Sequence, residues 1–213
     1  MRCASHWMRS QERTPTFVSF GMQRQLAAFV EQPCKATFLA ARDAVLRYSP
    51  LPLVTAEIAD LDLLLEHEEH QALLDRLDVL PPSKVLSPRI HYLAAEAAEA
   101  LGNVADVELE RSLFVLTLQG LLSTGDGSRG NPYIVCHPSD EYDVLAALGH
   151  EAAGQSLFGH EGRLFDVLLC SDGREVWFDV TDLLARPQPK KQSAVRRRRT
   201  ARVRRLRASR SHR

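Results

Sequence analysis

The sequence predicts an α+β fold: stacked helical hairpins, followed by a helix and a three-stranded antiparallel β meander. Three observations carry this. Apolar residues recur at helical spacing as far as about residue 122, a long Gly/Asn/Pro turn signal fills 124–132, and short apolar runs joined by Gly-containing turns follow. With 45% apolar and 25% charged residues the composition is that of a globular chain. No stretch approaches the ~18 apolar residues of a transmembrane helix, so no membrane partner is expected.

Taken in order, residues 36–48 place Phe38, Leu39, Ala41, Val45 and Leu46 on one helical stripe, and Ser49-Pro50-Leu51-Pro52 stops the helix. Leucine-rich helices are expected over about 56–66 and 68–77, ended by Pro81-Pro82. Ser87-Pro88 then supplies an N-cap and a proline at the first helical position, and Gly102 suits the position just past the C-cap. Asn103 opens the next helix, about 104–122. The two pairs turn near His67 and Asn103, 36 residues apart, close to the ~34-residue tetratricopeptide period. The pairs therefore read as tetratricopeptide-like, a plain antiparallel bundle being the alternative. Tyr133 to Cys136 reads as a short strand, and Ser139 caps a helix over about 140–148. Strands are expected over about 154–159, 163–170 and 175–181. A single shared core is expected to unite these parts.

The zero net charge, 27 basic against 27 acidic residues, conceals a division. Arg186 to Arg213 holds 13 Lys or Arg and no acid, which leaves 14 basic and 27 acidic residues in 1–185, a net of −13. Three parts follow: a weakly ordered leader over 1–34, an α+β domain over 35–185 (helical 36–123, β-rich 131–183), and a disordered Arg-rich tail over 186–213. In the tail, Arg196, Arg197, Arg198, Arg199, Arg202, Arg204 and Arg205 are the candidate contacts to nucleic acid or another polyanion. The leader has no apolar signal-peptide core, and Met22 opens a better helical stretch at which translation could begin. Cys3, Cys34, Cys136 and Cys170 show no CxxC spacing and read as reduced thiols of a cytoplasmic protein.

Asp172-Gly173 between apolar runs signals a two-residue hairpin turn. That turn sets Cys170 opposite Glu175, Leu168 opposite Trp177, and Asp166 opposite Asp179. One face, Phe165, Val167, Leu169, Val176, Phe178 and Val180, would then be wholly apolar. Two opposed carboxylates repel unless Arg163 or Arg129 lies between them, one is protonated, or a cation bridges them. Asp166 and Asp179, with Asp182 near, are accordingly the candidate catalytic or metal-binding residues of a small hydrolase or metal-dependent enzyme. Other constellations lack the required spacing. The histidines of Glu66-His67-Glu68-Glu69-His70 are three apart where a zinc helix needs four, so this is a solvated acidic turn. Cys136 and His137 would point to opposite faces of a strand, and the Gly-rich 125–130 segment is followed by no Lys-Ser or Lys-Thr pair of a P-loop.

Leu86-Ser87-Pro88-Arg89, Thr124-Gly125-Asp126-Gly127, Glu141-Tyr142-Asp143-Val144-Leu145 and Trp177-Phe178-Asp179-Val180 resemble segments of a bacterial family of unknown function. The resemblance covers about 36–185. It implies tetratricopeptide-like helices before a small β meander, and no reaction. With no assembled catalytic set and no cofactor motif, the expected function is a non-catalytic protein-interaction module. Its helical surface would meet a protein or peptide and its tail a polyanion; no cofactor is expected.

Overall fold

The computed structural model describes residues 20–48 and 55–184. The Arg-rich tail, Cys3 and the Ser49–Pro52 stop signal lie outside the described residues. Helix α1 (Phe20–Glu31) is followed by α2 (Lys35–Tyr48), α3 (Thr55–Glu66), α4 (His70–Asp78), a 3₁₀ turn (Pro82–Leu86), α5 (Pro88–Ala100) and α6 (Val104–Leu122). Strand β1 (Tyr133–Ile134), α7 (Asp140–Ala147), β2 (Ala152–His160), β3 (Arg163–Cys170), β4 (Glu175–Asp179) and the short α8 (Thr181–Leu184) complete the chain. The α+β class and the order of helices before sheet agree with the sequence reading.

Residues 20–31, placed by the sequence in a weak leader, form helix α1, and Met22 and Phe29 are each 1% exposed. The helical stretch read from Met22 is present, and tertiary burial that the sequence reading did not foresee joins it to the domain. Phe29 packs edge-on against Phe38 of α2, with ring centroids 5.4 Å apart. Both rings press on α6 at Gly120, where a Cβ would lie 2.4 Å from Phe38 Cδ2 and 2.8 Å from Phe29 Cζ. Only glycine admits this approach.

Three apolar clusters stand where a single shared core was expected, the smallest of them on the sheet. Ile58, Leu61, Leu73, Leu77, Ile90, Leu93 and Ala97 join α3, α4 and α5. A larger cluster, including Phe38, Val45, Leu121, Val135, Leu145, Leu168 and Phe178, seats α1, α2, α6 and α7 on the sheet. The turns ending α3 and α5 share one geometry. After α5, Gly102 N–H donates to Glu99 O and Asn103 N–H to Ala98 O, with Gly102 at φ +76. After α3, Glu68 N–H donates to Leu65 O and Glu69 N–H to Leu64 O, with Glu68 at φ +59. These are Schellman closures, one on the favoured glycine and one on a strained glutamate.

The sheet is mixed and four-stranded, in the order β1-β4-β3-β2. This corrects the three-stranded antiparallel meander: β1 pairs in parallel with β4, Tyr133 with Phe178 and Ile134 with Asp179. The β3–β4 register is also corrected by one residue. Asp166 lies opposite Phe178, Val167 opposite Trp177 and Phe165 opposite Asp179. The cause is the turn. Cys170 N–H donates to Arg174 O, and Gly173 N–H to Cys170 O with Gly173 at φ +85, so three residues turn where two were expected.

Gly120→Ala is expected to lower stability by about 1–3 kcal/mol, since both phenyl rings must shift. Chemical denaturation of the variant and the parent checks this.

Candidate functional site

The register shift separates the two candidate aspartates. Opposed residues share a face and faces alternate, so Asp166 and Asp179 lie on opposite sides of the sheet. Asp179 accepts from Arg163 Nη2 at 2.6 Å and from the Thr181 hydroxyl at 2.6 Å. Burial raises its pKa, but these donors outweigh it and the net shift is downward. Asp166 Oδ2 accepts from Gln155 Nε2 at 2.6 Å. Asp182 pairs with Arg42 at 3.0 Å. The facing carboxylates that motivated a hydrolase or a bridging cation are therefore not formed. Arg163 pairs with Asp179 alone and does not lie between two carboxylates, and Arg129 lies over the Phe158 and Trp177 rings at 5.1 and 5.4 Å. That guanidinium covers a small apolar cluster, Phe165, Val167 and Trp177 with Phe158, on the outer face of the sheet.

A different group of acids is unusual. The first turn of α7 carries Asp140, Glu141 and Asp143. Asp140 and Glu141 are 0% exposed. Asp140 earns its burial: Oδ2 accepts from the backbone N–H of Cys136 at 3.0 Å and of His137 at 2.8 Å, closing the loop that enters the helix. Desolvation nevertheless pushes its pKa up to about 7. Neither carboxylate oxygen of Glu141 has a hydrogen-bond partner. Burial, then the charges of Asp166 and Asp140, push its pKa up to about 9. Burial and Asp140 likewise raise Asp143 to about 7, against the opposing pull of Arg89. The helix N-terminus favours negative charge, which partly relieves the group. Nearby, Arg42 is 2% exposed and its Nε donates to Val135 O at 2.9 Å.

This arrangement stores protons at neutral pH. Glu141 is shut away from solvent, whereas Asp143 is only half-buried. Cys136 is also buried and its thiol pKa is pushed up by that burial, so it is no nucleophile. Residues 67–69 form an exposed turn between α3 and α4, as the sequence suggested, while Glu66 ends α3 and the half-buried His70 opens α4.

The sequence reading placed a strand over about 154–159, now β2, but gave it no role. It is nine residues long, forms the end of the sheet, and is exposed at eight positions, with Leu157 60% exposed. The strand Ala-Ala-Gly-Gln-Ser-Leu-Phe-Gly-His contains no Lys, Arg, Asp, Glu or Pro, the residues that usually guard an edge. The missing signal was that absence of charge over nine residues.

No family model, no curated protein and no solved structure matches the chain. Among the described residues no helix is long and apolar enough to cross a membrane.

The acids around α7 give a pH prediction. Glu141 is protonated in the fold up to about pH 9, whereas an unfolded glutamate ionises near pH ~4.3. The folded chain thus binds more protons between these limits, and stability falls as pH rises through them, by up to about 1.4 kcal/mol per pH unit for one proton. Glu141→Gln is expected to flatten that slope and to stabilise the chain at pH 8 but not at pH 4. Urea denaturation across pH 4 to 9 checks it.

Proposed function

We propose that the chain is a non-catalytic protein-interaction module whose recognition element is the free edge of β2. The carrying observation is the long, exposed, uncharged terminal strand, with no described strand on its outer side. Unsatisfied backbone groups along such an edge bind an added strand, and side chains select which strand.

The occupant that β2 itself suits is β2 of a second copy. Antiparallel pairing about a two-fold axis at Ser156 sets Phe158 opposite Gly154, His160 opposite Ala152 and Leu157 opposite Gln155. Each aromatic ring meets a small residue, and no like charges meet along the strand. The helical layer supports this reading. Glu68 and Gly102, the equivalent turn positions after α3 and α5, are 34 residues apart, and α5 packs on both α3 and α4, as expected of stacked tetratricopeptide-like pairs. Exposed Val79 just past α4, Leu101 just past α5 and Val104 at the start of α6 offer a protein or peptide apolar contacts. The Arg-rich tail adds affinity for nucleic acid or another polyanion by counterion release.

Sedimentation equilibrium on the full chain tests the edge. Reversible dimers are expected, weakened at least about tenfold by Ser156→Lys, which brings two ammonium groups together on the axis. A monomer at every concentration up to ~100 µM would remove β2 pairing from the account. For the tail, replacing Arg196 to Arg199 by Gln should lower the slope of log K against log salt for duplex DNA by up to about 4. An unchanged slope would assign binding elsewhere.

A further inference from the structure

We infer that His150, Cys170 and Asp172 form a site for one divalent transition-metal ion of zinc type, beside the Ala152 end of β2 and apart from the acids of α7. Their ligand atoms lie within 4.8 Å of one another, and this is the one such trio among the described residues. Nitrogen, sulfur and carboxylate oxygen together suit a borderline ion, and three protein ligands leave a tetrahedral position for water.

The site is set by backbone, which separates it from a chance meeting of side chains. His150 follows α7 in a closure where Gly149 stands at φ +74, Gly149 N–H donates to Ala146 O, and His150 N–H donates to Leu145 O at 2.9 Å. The next residue, Glu151, accepts from Ser171 N–H at 2.9 Å, so the segment holding His150 is tied to the hairpin holding the other two ligands. Cys170 is fixed at the end of β3 by the 2.7 Å bond from its N–H to Arg174 O, and is paired across the sheet with Ala152. Asp172 Oδ1 accepts from Arg174 N–H at 3.0 Å, which aims Oδ2 toward His150 Nδ1, 3.5 Å away. Ligand atoms on a tetrahedral zinc-type ion stand roughly 3.3–3.8 Å apart, so a modest contraction completes the set.

One group competes: Arg174 Nε stands 3.3 Å from Asp172 Oδ2. On binding, the Cys170 thiol loses its proton to solvent, the sulfur–metal bond forms, and the guanidinium is displaced.

Cobalt(II) titration of the reduced full-length chain tests the site, since a thiolate bound to cobalt gives a near-ultraviolet charge-transfer band. A one-to-one band is expected, lost in Cys170→Ser and at least about tenfold weaker in both His150→Ala and Asp172→Asn. Arg174→Ala should tighten binding, and zinc should displace cobalt. Asp172→Asn keeps the acceptor for Arg174 N–H, so it decides the matter if Cys170→Ser fails to fold. Absence of the band at ~100 µM free cobalt, or a band that survives in Cys170→Ser or is unmoved by Asp172→Asn, overturns the inference.

Discussion

The geometry of the β3–β4 hairpin depends on one residue of turn length. With Ser171, Asp172 and Gly173 all in the turn and Gly173 left-handed, Leu168, Cys170, Val176 and Phe178 face the helices. Phe165, Val167 and Trp177 then face outward beneath Arg129. A two-residue turn would exchange sides between the strands, carrying Trp177 into the core in place of Phe178. Both faces are apolar, which is why alternation could not select the register. In a sheet wet on one side, the same error would have exposed itself.

The second organising feature is the joint between helices and sheet. There the chain buries charge as well as hydrocarbon. Arg42 reaches from α2 to Val135 O and to Asp182, and so links the first helical hairpin to the loop after β1 and to α8. Asp140 ties down the backbone of that same loop. Glu141 has no such partners and stays neutral as a consequence. A neutral acid in an apolar joint is tolerable; an ionised one is not. The contrast between two adjacent acids, one hydrogen-bonded to backbone and one unpartnered, shows that position on the helix fixes burial while hydrogen bonding decides how far the proton is held.

Much of the helical half was legible. The bounds of α6 follow from Asn103 and the run to Leu122, and the closure at Gly102 follows from the glycine. Ser87 does hold the N-cap position of α5, though its hydroxyl makes no capping bond. What could not be read depended on contacts distant in sequence. Helix α1 is secured by Phe29 against Phe38 and Gly120, and β1 by a strand far downstream. The aspartate couple failed because it rested on the hairpin register alone. The His150, Cys170 and Asp172 trio could not be seen at all, since its residues converge only after α7 closes and β3 turns.

Strand β1 has one further consequence. It is two residues long, and its partner Phe178 is made only after α7, β2 and β3. Closing so long a loop for so few backbone bonds is entropically unrewarding until the hairpin already exists. The order of assembly is thereby constrained: helical pairs form from near neighbours, whereas Tyr133 docks late. During synthesis Phe38 of α2 can meet Phe29 and Gly120 early, whereas Arg42 on the same helix must wait for Val135 and Asp182.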